Sequence, residues 1–111
     1  MNAARLEHSC TLLSSVAPPL PLFLDALRRL IKDNEEYVPP YESSGSLYIR
    51  PVVLGVGGQL GLHPSDEYLF LMYCTPVGGF YGSAKKVRAL IPAGFDRAAP
   101  KGVGSGKLGN H

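Results

Sequence analysis

Tryptophan is absent from this 111-residue chain, and cysteine, histidine and charge are all scarce. The two cysteines, Cys10 and Cys74, lie far apart and form neither a CxxC pair nor a disulfide framework, so both are expected to be reduced and partly buried. His8, His63 and His111 show no metal-ligand spacing to one another or to cysteine, and no metal site is expected. Charged residues make up 18% of the chain, the net charge is +2, and the longest basic run is Lys85-Lys86. That is no electrostatic footprint for nucleic acid or acidic lipid. No apolar run reaches the roughly 20 residues that cross a bilayer, so no membrane segment is expected. Near the start, Arg5, Glu7 and His8 precede only the short "TLLSSVA", a poor match to a secretory signal; composition leaves a mitochondrial presequence open.

What the chain does have is apolar mass and loop formers. Hydrophobic residues reach 45%, the range of a globular domain, and a chain of this size has material for one modest core. Thirteen glycines and ten prolines imply a large share of loop. "AARLEHSCTLL" predicts a short helix over residues 3–14, with Leu6, Cys10 and Leu13 on one side. Pro18, Pro19 and Pro21 interrupt it. A stronger helix follows: Phe23, Ala26, Leu27, Leu30 and Ile31 recur at helical spacing, Pro21 suits a first turn, and Pro39-Pro40 sets the far limit.

"SLYIRPVVLG", residues 46–55, alternates as a strand does. Leu47 and Ile49 share one face, Tyr48 and Arg50 the other, and Pro51 belongs at an edge, a bulge or the strand end. After a glycine-rich connection, "EYLFLMYC", residues 67–74, reads as a strand buried on both faces. "KKVRALIP", residues 85–92, reads as a third. One helix of substance and three strands sketch an α+β fold.

The closing stretch "KGVGSGKLGNH" raises the question of a phosphate loop. A Walker loop needs GxxxxGK followed by serine or threonine, because glycine amides face the phosphates and the hydroxyl binds magnesium. Counting back from Gly106-Lys107 puts Lys101 where the first glycine belongs, and Leu108 follows the lysine. The spacing excludes that loop, and composition alone reads the stretch as a solvated tail.

Several segments taken together point elsewhere. "SGSLYIRPVVLG", "EYLFLMYCTPVGGFY" and "FDRAAPKGVGSGKLGN", preceded by "NAARLEHSCTLL" and "LFLDALRRLIKDNEEYVPP", resemble in this order the branched-chain amino-acid aminotransferases, the fold-type-IV enzymes that use pyridoxal 5'-phosphate (PLP). The resemblance covers nearly the whole chain. It implies an incomplete small domain at 1–78, and an interdomain loop with the start of the large domain at 79–111. It also implies that Lys107 is the catalytic, cofactor-binding lysine that carries PLP as a Schiff base. Only a primary amine can condense with the aldehyde, and the same amine can later move a proton at the substrate's Cα.

By the same resemblance Tyr48, Arg50 and Tyr81 are substrate-binding residues. Arg50 would hold a substrate carboxylate and Tyr48 would help form the pocket. The family's tyrosine-phenylalanine order is reversed at Phe80-Tyr81, so the pocket hydroxyl is displaced or supplied by Tyr81. Lys101 stands where the family has glycine, and a single Gly109 precedes Asn110. The implied reaction moves the amino group of leucine, isoleucine or valine to 2-oxoglutarate, in a protein whose family habit is the homodimer, in cytoplasm or mitochondria. Family members are far longer, so the chain is expected to be a truncated form without turnover of its own. The alternative expectation is a non-catalytic fragment that docks on a full-length aminotransferase.

Overall fold

A computed structural model describes residues 1–78, 86, 88–91, 93–94, 98 and 103–109. Helix α1 spans Asn2–Leu12 and helix α2 Leu20–Asp33. Strands β1, Ser46–Val56, and β2, Glu67–Val77, form a two-stranded antiparallel sheet. The arrangement is α+β, as the residue pattern predicts.

α1 stops two residues short of the predicted end because the backbone turns there. Ser14 takes a left-handed conformation with φ of 53°, and Ser15 donates both its N–H and its hydroxyl to the Cys10 carbonyl, at 2.9 and 3.1 Å. The Leu13 N–H donates to the same carbonyl at 3.1 Å, so the turn closes the helix end on Cys10. α2 starts as its prolines allow, with Pro19 as the cap and Pro21 in the first turn, where a missing N–H costs nothing. At its other end the Asn34 amide donates to the Leu30 carbonyl at 2.9 Å. A 3-10 turn, Glu35–Tyr37, then leads to Pro39-Pro40.

The hairpin register runs without a bulge from Ser46 opposite Val77 to Val56 opposite Glu67. Pro51 therefore lies inside β1, opposite Met72, rather than at its end. Both strands of a two-stranded ribbon are edges, so a proline is tolerated there. Gly57 leaves the strand with φ of +107°, a conformation that side chains rarely adopt.

Alternation sorts the two faces of the ribbon. Ile49, Pro51, Val53, Phe70, Met72 and Cys74 are half-buried on the side covered by α2. There Phe23, 7% exposed, stacks on Phe70 with ring centroids 6.1 Å apart. The other face is open. Leu54, Leu69 and Leu71 stand 44, 48 and 43% exposed upon it. The expectation that "EYLFLMYC" is buried on both faces is thus corrected: one helix covers one face. Of the predicted strand at 85–92, the described residues Lys86 and 88–91 lie outside the sheet, with Leu90 and Ile91 exposed. Cys10 is buried and Cys74 half-buried, both free thiols, as expected.

Candidate functional site

The open face carries polar groups at one end. Residues two apart in a strand share a face, so Tyr48 and Arg50 project together, as their alternation predicts. The Arg50 guanidinium donates to the Tyr48 hydroxyl from Nε at 3.0 Å and from Nη2 at 2.7 Å. Its central carbon lies 5.1 Å from the centroid of the Tyr48 ring, within cation–π range. A guanidinium has five N–H donors in a plane. Two are spent on Tyr48; those left, on Nη1 and Nη2, form the fork that accepts a carboxylate edge-on. Tyr48 thereby orients the arginine and leaves its outer edge free.

Tyr73 completes this group and escaped the sequence reading. It stands directly opposite Arg50 in the register and is 41% exposed on the same face. The signal was present: once the two strands pair as a hairpin, odd-numbered residues of β2 share the face of even-numbered residues of β1. Hydrogen bonding and charge interaction with Tyr48, then interaction with Tyr73, hold the Arg50 pKa above the usual arginine value. The site thus keeps a fixed positive charge with two phenol hydroxyls beside it. Toward the other end of the same face the lining turns apolar, with Val52, Leu54, Leu69 and Leu71.

Lys107 sits in a different setting. It follows a 3-10 turn at Val103–Ser105, and its side chain is exposed. Its backbone N–H donates to the Ser9 hydroxyl on α1 at 3.0 Å. Among the described residues no hydrogen bond joins Lys107 to Tyr48 or Arg50. The structure therefore brings Tyr48 and Arg50 together and ties Lys107 to α1. Tyr81 lies outside the described residues.

An exposed primary amine on a fixed backbone suits covalent attachment of an aldehyde cofactor. Two hollows of the described surface do not extend that attachment point into a pocket. One, between the start of α1 and the proline linker, is lined by Met1, Ala4, Glu7 and Pro18 among others; the second lies beside Gly57, Asp66 and Glu67 at the hairpin end. Neither is lined by Lys107, Tyr48 or Arg50. Lys107 would supply the amine to which an aldehyde cofactor attaches, and the described residues form no enclosure around it.

No protein-family model matches the chain. Individual curated proteins do. A branched-chain-amino-acid aminotransferase of Helicobacter pylori is 46% identical over 112 residues, which is 99% of this chain and 33% of that protein. The branched-chain-amino-acid aminotransferase of Haemophilus influenzae is 34% identical over 99% of the chain and 32% of its own length. A fungal relative, the aminotransferase poxL of Penicillium oxalicum, is 42% identical over the whole chain and 30% of its own length. Over nearly all its residues the chain is a homologue of the branched-chain-amino-acid aminotransferases and related aminotransferases, and it spans about a third of the length of the relatives it matches.

Proposed function

We propose that this sequence forms the carboxylate-binding strand and the reacting lysine of a branched-chain amino-acid transaminase, which exchanges amino groups between leucine, isoleucine or valine and 2-oxoglutarate. The observation that carries the reading is the Tyr48–Arg50 clasp on the open face, in a chain whose relatives are named aminotransferases. In this reading the free edge of Arg50 binds the substrate carboxylate, with Tyr48 holding the guanidinium and Tyr81 contributing to the pocket. The neighbouring apolar stretch of Val52, Leu54, Leu69 and Leu71 is suited to a branched aliphatic side chain. Lys107 carries PLP and moves the proton at the substrate's Cα. When bound, PLP supplies the electron sink for that proton transfer. Residues 1–78 form part of the small domain, and 79–111 the interdomain loop and the start of the large one. We assign the protein to cytoplasm or mitochondria, a choice that cell fractionation decides.

The test is amino transfer from leucine to 2-oxoglutarate by the protein that carries "GSLYIRPVVLG", purified from its own cells, with its intact mass measured on the same sample. A mass well above 11.9 kDa with turnover abolished by Lys107→Ala is the expected result. Turnover that survives Lys107→Ala would overturn the reading. At 11.9 kDa we expect no turnover from the chain alone.

The exposed leucines of the open face favour a second reading, a non-catalytic chain that docks on a full-length aminotransferase. Co-purification of a longer relative with the 11.9 kDa species supports it. A lone soluble monomer counts against it.

A further inference from the structure

We propose that Ser9 is a positioning residue for Lys107; the proposal rests on the reading of Lys107 as the reacting amine. Ser9 is 4% exposed, the one buried polar side chain among the described residues. Its hydroxyl donates to the Arg5 carbonyl at 3.0 Å and accepts the Lys107 N–H at 3.0 Å. The first bond is a common one for serine within a helix. Here it spends the hydroxyl proton inside α1 and leaves the oxygen lone pairs to face outward. The acceptor is thus aimed before the lysine amide reaches it.

A second contact comes from the residue before the lysine. Gly106 is buried, and a Cβ built on it would stand 2.8 Å from Cδ1 of Leu12, closer than real side chains approach. The main chain lies against the Leu12 side chain, whose half-exposed tip would have to move aside to admit a Cβ. The Ser9 bond anchors the Lys107 amide, and the Leu12 contact beside it narrows the positions open to the lysine Cα. The side chain itself stays exposed and free to react. For a group that must meet one atom of a bound reactant, a displacement of about 1 Å costs on the order of a hundredfold in rate. A serine far from the reacting atoms thereby governs where the amine can go.

The experiment uses the purified protein with Ser9→Ala, Ser9→Thr and, as an independent disturbance, Gly106→Ala. Two readouts are taken: hydrogen exchange at the Lys107 amide, and acetylation of Lys107 relative to Lys32 in the same molecules across a pH series. Loss of the bond in Ser9→Ala should speed exchange about tenfold and shift the Lys107-to-Lys32 acetylation ratio, with Ser9→Thr restoring both. A change in general stability would move Lys32 as well, so the ratio separates positioning from unfolding. An unchanged Lys107 amide in Ser9→Ala overturns the proposal, whatever the activity. Should Ser9→Ala fail to fold, Gly106→Ala and the wild-type protection decide: an unprotected Lys107 amide in the wild type overturns the proposal, and protection lost in Gly106→Ala supports it. Turnover that survives Lys107→Ala removes the functional reading instead, and leaves the exchange result standing as a structural contact.

Discussion

Replacing Phe23 by alanine tests how α2 is held to the sheet. Phe23 is 7% exposed and, with Cys10, makes up the buried apolar core among the described residues. A buried phenylalanine removes roughly 150 Å² from water, worth about 4 kcal/mol at ~25 cal/mol per Å². The cavity left behind keeps measured losses for Phe→Ala in the range of about 3–5 kcal/mol. Whole domains are stable by only about 5–15 kcal/mol, and a core this thin places the chain at the low end. Phe23→Ala should therefore abolish cooperative unfolding or lower the urea midpoint severely. Leu22→Ala is the control, because Leu22 is 50% exposed one position away and faces elsewhere. It should cost under about 1 kcal/mol beyond noise, as surface changes do. A double-mutant cycle with Phe70→Ala should return a coupling of about 1 kcal/mol for the stacked pair. Equal losses in Phe23→Ala and Leu22→Ala, or no coupling to Phe70, would refute the packing of α2 on β2 by this ring.

Other consequences follow from the open face. Arg50→Lys keeps the charge but loses the planar fork, so the KM for 2-oxoglutarate in an active protein should rise roughly tenfold, with a smaller change in kcat. Tyr48→Phe removes the acceptor of both Arg50 bonds and should raise the same KM severalfold, while Arg50→Lys added to it should cost less than it does alone. The Arg50 pKa is raised by Tyr48 and Tyr73. A raised value stabilises below the unfolded pKa and is lost only as pH climbs through the folded one, and both lie above the working range. Carboxylate affinity and stability should thus show no Arg50 titration between about pH 5 and 10, which isothermal titration at several pH values checks.

Much of this was legible in the residues. Helical spacing from Phe23 to Ile31 marked α2, and alternation in "SLYIRP" put Tyr48 and Arg50 on one face. Alternation is local, and so it survives whatever the rest of the chain does. What tertiary context decides was harder to see. "YLFLMYC" has the composition of a strand covered twice, but cover is a property of neighbours, and one helix supplies only one face. Pro51 argued for an edge, a bulge or a strand end, and only the pairing chose the edge, since in a two-stranded ribbon that is available in mid-strand. Tyr73 needed the hairpin register before its parity meant anything. Ser9 carried no signal, since serine within a helix is unremarkable and its partner lies 98 positions away. The motif order around Lys107 marked the lysine without saying what holds it.

Those two separations have a consequence for how the molecule comes together in time. The Tyr48–Arg50 clasp spans two positions and needs only one extended strand. Hairpins of this kind form in about 1–10 μs. The Ser9–Lys107 bond joins the two ends of nearly the whole chain, and contacts of such separation await the closure of everything between them. During synthesis from the N-terminus, the strand that carries Tyr48 and Arg50 is complete before Lys107 has been added at all. The contact within one strand forms early, and the contact between residues 98 positions apart forms after it.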